Sequence, residues 1–331
     1  MTAGPVLVVE GLTKRFPLEQ PPLRRLRDWW RGRPPPVLTA LQDVSFTVGA
    51  RETLGILGES GSGKSTLARV LMGLYQPEAG RAFLLGEDLF TNDPKVRHHH
   101  RRRMQMVFQD PFGSLDPRMS IRRILAEPLA IHRPCPEAEW EGLMGRGLEE
   151  VGLDRDALDR YPAEFSGGQR QRISICRALI LDPVLLIADE AVSALDVSVQ
   201  AQILELLMRL KEGRGLSLIF ISHDVAVVRQ VADRVLVLYK GVIVESLPAS
   251  CLLEDATHPY TQRLLGAALY LRENREFSAW EGSASQKPRS EPRPEGCPCQ
   301  SWCDVAEARC GQPPPEVEVH PGHRVRCWRG G

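Results

Sequence analysis

The residues Gly58, Glu59, Ser60, Gly61, Ser62, Gly63, Lys64, Ser65 and Thr66 form an unbroken run that fits G-x-x-x-x-G-K-[ST]. Glycines there let the backbone bend until successive N–H groups face inward onto phosphate oxygens. A helix opening at the end of the run adds the partial positive charge of its N-terminus. Lys64 is placed to reach the β- and γ-phosphates of a nucleotide, and the Ser65 hydroxyl to ligate Mg2+. A second element must help hold the metal. Leu185-Leu186-Ile187-Ala188 is an apolar run ending in the carboxylates Asp189 and Glu190. Asp189 is expected to reach Mg2+ directly or through water, and Glu190 to polarise an attacking water as general base. Strands often end in polar residues, so this pair gains weight from the phosphate loop. Phe165-Ser166-Gly167-Gly168-Gln169 places small residues at a helix start, a second nest for an anion. His223 follows the apolar run SLIFIS and can contact a γ-phosphate. A lone strand-end histidine is usually structural and carries little by itself.

The elements that must position these residues are legible in outline. Residues 6–16 read as a strand and a turn. Residues 41–57 hold two strands, and STLARVLMGLY a helix ended by Gln76-Pro77. Residues 118–160 are helical in pattern, and 169–181 form another helix. The strands 184–189 and 217–222 are separated by a helix over 198–211. Short apolar strands alternating with helices predict a parallel α/β sheet. The segment 17–37, rich in Pro and Arg, reads as an insertion, and 281–296 as a linker. The run Arg97–Arg103 reads as a solvated helix face. Trp29-Trp30 suits either membrane headgroups or simple loop packing.

Composition excludes several classes. The 331 residues carry 42 Lys+Arg against 42 Asp+Glu, so no global field draws the chain to nucleic acid. No apolar run approaches the ~20 residues of a membrane span, and no signal peptide is evident, so a cytosolic protein is expected. Five of the eight cysteines crowd the last 35 residues. In a reducing compartment that suggests a metal or iron–sulfur site before disulfides. Cys297, Cys303, Cys310 and Cys327 make a four-thiolate set for a [4Fe–4S] cluster or zinc, with no metal as the bland alternative. The spacing lacks the C-x-x-C pairs common in zinc ribbons. Cys299 is an extra thiol. The tail is remote from the phosphate loop in sequence, so nucleotide binding is expected to survive loss of any cluster.

Taken in order, the motifs resemble the ATP-binding subunits of ABC transporters. GESGSGKST looks like Walker A, FSGGQ like the family signature, LLIADE like Walker B and Ser193-Ala194-Leu195-Asp196 like the D-loop. Gln109 in VFQDP looks like the Q-loop glutamine, His223 like the switch histidine and Phe16 like the adenine-stacking aromatic. Ala191 stands where the family usually has proline. The resemblance implies a P-loop NTPase cassette over residues 1–250. It has a RecA-like parallel core, an antiparallel edge sheet and a helical signature subdomain over about 110–165. A small extension with the four cysteines follows over 251–331. It also implies ATP and Mg2+ as cofactors, with Ser65, Gln109 and Asp189 toward the metal. Ser166, Gly167, Gly168 and Gln169 act on ATP held by a partner, and Asp196 belongs to the D-loop.

The runs VFQDPFGSLDPRMSI, YPAEFSGGQRQRISICRAL and THPYTQRLL are similar to the oligopeptide/dipeptide importer ATPases. The four-cysteine spacing resembles some dipeptide-importer ATPases that bind a [4Fe–4S] cluster. The resemblance implies a second ATPase subunit in a heterodimer, two membrane permeases and an extracytoplasmic solute-binding protein, at the cytoplasmic face of the membrane and without nucleic acid. A soluble ABC ATPase of translation or DNA repair is the alternative, disfavoured because the chain has neither tandem cassettes nor a long coiled-coil insertion. An importer of nickel or glutathione is another. A degenerate cassette is disfavoured by Lys64, Asp189, Glu190 and His223.

Overall fold

The structure is a computed structural model that describes residues 4–18, 21, 30, 36–193, 195–273 and 296–329. Most of the Pro- and Arg-rich insertion, Trp29, Ala194 and the linker 281–295 lie outside the described residues.

The strands of the described residues form two sheets. The smaller has strand order β2-β1-β4-β5, from β1 (Leu7–Pro17), β2 (Val37–Val48), β4 (Ala79–Leu84) and β5 (Glu87–Asp88). Its pairings are antiparallel. The larger has order β11-β12-β10-β9-β3-β8-β7-β6. Here β6 (Met104–Val107), β7 (Leu185–Asp189), β8 (Ser217–Ser222), β3 (Thr53–Leu57) and β9 (Arg234–Tyr239) run parallel. β10 (Val242–Pro248), β12 (His323–Arg326) and β11 (Glu316–His320) close the edge antiparallel.

Strands β3, β7 and β8 are buried along their whole length, which is why they read as unbroken apolar runs. Alternate residues serve opposite faces. Leu185, Ile187, Ile219 and Ile221 pack toward the small sheet and helix α1 (Lys64–Leu71). Leu186, Ala188, Leu218 and Phe220 pack toward the helical face. That face holds α3 (Ile121–His132), α4 (Trp140–Glu150), α5 (Gly167–Leu179), α6 (Val197–Arg214) and α7 (Val225–Val231), after α2 (Pro94–Arg103).

The predicted parallel sheet and its helices are present, and α1 ends earlier than expected, at Leu71. The basic run lies in α2 with His98, His99 and Arg101 exposed, Arg97, Arg102 and Arg103 half-buried and His100 buried, its Nε2 3.2 Å from Glu87. Four features were not legible. They are the β4–β5 hairpin, the β9–β10 hairpin, helix α8 (Pro259–Glu273) and the β11–β12 hairpin, which adds two strands to the edge of the core sheet. The buried Cys297, Cys299, Cys303 and Cys310 belong to the helical-face core.

Candidate active site

The phosphate loop leaves β3 and opens α1. Gly61 and Gly63 have positive φ (81° and 108°), where L side chains are strained. A Cβ on Gly63 would also meet the Ala40 carbonyl at 2.5 Å, and one on Gly58 the Leu238 carbonyl at 2.3 Å. These glycines are therefore demanded by the surroundings as well as by the turn.

Lys64 Nζ donates to the carbonyls of Gly58 (2.7 Å) and Glu59 (2.9 Å). Burial pushes its pKa down, and the carboxylates of Glu190, Asp189 and Glu59 oppose that. Ser65 Oγ donates to Asp189 Oδ1 at 3.2 Å. Burial pushes Asp189 up, opposed mainly by the Ser65 bond. Glu190 sits just past β7 at φ 48°, an unusual conformation for a residue with a side chain, and its N–H is held by Ile221 O at 3.0 Å. Gln109 Nε2 donates to Glu190 Oε2 at 2.9 Å. His223 Nδ1 lies 3.6 Å from Glu190 Oε1. Four motifs far apart in sequence thus meet around two carboxylates.

The cleft above them has a volume of about 590 Å³ and is lined by Phe16, Leu38, Thr39, Ala40, Ser60, Gly61, Gly63, Lys64, Ser65, Thr66, Gln109, Glu190 and Lys240. Phe16 stands on β1, edge-on to Tyr75 with centroids 5.2 Å apart. The glycine cradle, the buried cation and the hydroxyl–carboxylate pair fit a nucleoside triphosphate with Mg2+. Gln109 bonds Glu190 and not the Ser65–Asp189 pair.

The signature residues lie elsewhere. Ser166 caps α5, accepting from Gln169 N (3.3 Å) while Gln169 Oε1 accepts from Ser166 N (3.0 Å). Asp196 caps α6 through Val199 N at 3.0 Å. A Cβ on Gly168 would strike Val199 Cγ1 at 2.5 Å, so the signature turn packs directly on the D-loop helix. None of Ser166, Gly167, Gly168 and Gln169 lines the cleft.

The ABC transporter family profile matches residues 41–193, and the profile described as the oligopeptide/dipeptide transporter C-terminal region matches 244–310. "Probable peptide ABC transporter ATP-binding protein y4tS" of Sinorhizobium fredii is 46% identical over 97% of this chain and 89% of its own. "Oligopeptide transport ATP-binding protein OppF" of Haemophilus influenzae is 44% identical over 89% of this chain and 90% of its own. The chain belongs to the oligopeptide/dipeptide family of ABC transporter ATP-binding subunits. It is an ATPase of the ABC type. Among solved structures, the ATP-binding cassette MJ0796, a dimer bound to ADP and phosphate, superimposes with a TM-score of 0.62 at 25% identity. The match covers 73% of this chain and 98% of that one. ATP and Mg2+ are expected of an ABC ATPase. No helix among the described residues is long and apolar enough to cross a membrane.

Sequence reasoning missed Lys240 of the cleft. It sits with Gly241 in the β9–β10 turn, both at positive φ (45° and 81°), a two-residue hairpin turn. A Lys-Gly pair between two apolar runs was the available signal.

The cysteine-rich segment departs from expectation in two respects. Its thiols are free, and Cys303 and Cys327 feel the charge of Cys297 and Cys310, so the four gather in one region. Yet no group of three or more His, Cys, Asp or Glu among the described residues is arranged to hold a metal ion. The expected metal-binding set is therefore not closed around a common point. The extra thiol, Cys299, is hydrogen-bonded to one member of the set. It donates to Cys297, which draws that thiol down to about 7, while burial pushes Cys299 itself up. The second departure is position, because the segment packs behind the phosphate loop. Trp302 Nε1 donates to Tyr239 Oη at 2.8 Å, and Tyr260 Oη accepts from the loop amide of Glu59 at 3.0 Å.

Proposed function

We propose that this subunit binds and hydrolyses ATP to drive import of di- and oligopeptides. It would sit at the cytoplasmic face of the membrane, as one half of an ATPase heterodimer on two permeases fed by a solute-binding protein. The observation that carries the reading is the convergence of Lys64, Ser65, Asp189, Glu190, Gln109 and His223 on one cleft. The names of the relatives support the peptide cargo.

In this reading Phe16 stacks the base, and the amides of Gly58 to Thr66 with Lys64 bind the phosphates. Ser65, Asp189 and Gln109 hold Mg2+, which when bound neutralises charge on the β- and γ-phosphates. Glu190 accepts the proton of the water that attacks the γ-phosphorus, and the bond to the ADP oxygen breaks. His223 hydrogen-bonds the γ-phosphate, and its position beside Glu190 suits sensing phosphate loss. Ser166 to Gln169, partly exposed and away from their own cleft, act on the partner's ATP beside Asp196. Residues 1–250 form the motor, with a helical subdomain over about 110–165, and 251–331 an extension. Uptake of a labelled dipeptide by vesicles holding the full transporter tests the function. It should require ATP and disappear with Glu190→Gln. Uptake of nickel or glutathione in place of peptide would overturn the cargo.

A [4Fe–4S] cluster on Cys297, Cys303, Cys310 and Cys327 is a further part of the proposal. Its support is the gathering of four free, mostly buried thiols in one region. About four iron atoms per chain after anaerobic purification support it; stoichiometric zinc or no metal removes it.

A further inference from the structure

The back of the phosphate loop is held as firmly as its front is shaped. The peptide unit joining Gly58 to Glu59 is engaged at both ends. Its carbonyl accepts from Lys64 Nζ at 2.7 Å, and its N–H donates to Tyr260 Oη at 3.0 Å. Tyr260 belongs to α8, 201 residues further along the chain, and its ring is among the largest fully buried side chains. Three residues on, the Ser62 carbonyl accepts from Gly241 N at 2.8 Å, so β9 and its turn fix the loop at a second point.

Behind Tyr260 stands an aromatic stack that ends in the cysteine-rich segment. Tyr239 and Tyr260 have centroids 4.3 Å apart, and Trp302 lies 5.9 Å from the first and 6.3 Å from the second. Trp302 sits in the turn between Cys299 and Cys303, its N–H bonded to Cys299 O at 3.2 Å. Its indole N–H fixes the Tyr239 hydroxyl. The same strand end presents Lys240 to the nucleotide cleft.

We propose that Tyr260 is a positioning residue for ATP, acting through the 58–59 peptide on Lys64, and that Trp302 of the cysteine-rich segment holds Tyr260 in place. The proposal rests on ATP occupying the phosphate loop. Tyr260 does not touch the nucleotide cleft. It keeps the peptide oriented so that Lys64 is pre-aligned before ATP arrives. Without the hydroxyl the peptide loses its N–H anchor and is held less firmly, and binding must then supply the missing order. Such an ordering cost weakens affinity and leaves the reacting groups, once ATP is bound, in place.

The test is titration of full-length protein with a ribose-labelled fluorescent ATP and Mg2+, alongside steady-state ATPase rates. Tyr260→Phe keeps the stacked ring and removes the oxygen. It should raise Kd and KM for ATP about five- to tenfold, the effect of one hydrogen bond, with kcat within about twofold of parental. Trp302→Phe should move Kd in the same direction by about twofold or more. A purely structural role would lower the melting temperature and leave Kd unchanged. An unchanged Kd in Tyr260→Phe overturns the proposal whatever its melting temperature. An unchanged Kd in Trp302→Phe overturns the part given to the cysteine-rich segment. Parental protein that binds no ATP would instead remove the underlying reading of the loop.

Discussion

The front and the back of the phosphate loop are built by different rules. The front uses neighbours in sequence, since nine consecutive residues carry the turn, the cation and the hydroxyl. Their conformations are set by glycine freedom and by a helix start, both local properties. The back uses strangers. Tyr239, Tyr260, Trp302, Glu245 and His323 come from five separate segments and meet only through tertiary packing. Glu245 shows the style of this region. It is buried on β10, accepts from the amides of Thr257 (2.7 Å) and His258 (3.3 Å), and pairs with His323 Nε2 at 2.8 Å. One carboxylate thus ties α8 and the β11–β12 hairpin to the core sheet. The chemistry is concentrated at the front, and the anchoring of the loop at the back.

That contrast can be broken by substitution. The largest expected effect on stability is at the back. Glu245→Ala leaves His323 and two amides without their partner in a buried site, and should cost about 3–5 kcal/mol. A urea midpoint close to parental would show that the anchor carries little. At the front, Lys64→Ala should leave stability almost untouched. It should weaken ATP binding about 10- to 100-fold, since a charged hydrogen-bond donor to phosphate is lost. Equal damage to stability and affinity from either variant would erase the distinction between the faces.

A smaller effect sharpens it by pH. Burial pushes His258 down to about 4, and its Nδ1 accepts from Tyr260 N at 3.0 Å. Unfolded, a histidine titrates near about 6.5. Between these values the unfolded chain takes up a proton that the folded chain refuses. Stability is therefore flat above pH ~6.5 and falls as pH drops towards ~4, by up to about 3 kcal/mol. His258→Asn keeps an acceptor for Tyr260 and removes the titration. Urea midpoints across that window should lose much of their slope, and an undiminished slope would place the acid sensitivity elsewhere.

These differences explain what the sequence disclosed. The parallel core was readable because β3, β7 and β8 are covered on both faces and leave apolar runs. The site was largely readable because most of its motifs follow a strand of the parallel core or open a helix. Lys240 escaped because its turn carries no chemistry of its own. Tyr260 escaped because nothing in HPYTQ points at a loop 201 residues away. The two C-terminal strands escaped because β11 alternates charged and apolar residues over only five positions, and β12 has four. Distance in sequence also hid the position of Trp302 of the cysteine tail, which packs on the residues behind the loop.

The central claim, that Glu190 is the base of a working ATPase whose site is assembled from both faces, has one direct test. Single-turnover hydrolysis should be measured at this subunit's own site in the Glu190→Gln variant, with ATP affinity measured on the same preparation. The amide keeps the shape and a hydrogen-bond partner for Gln109 but cannot take a proton. Affinity should stay within about threefold of parental while the rate falls by about 10²- to 10⁴-fold. Parental turnover at this site in Glu190→Gln would contradict the account.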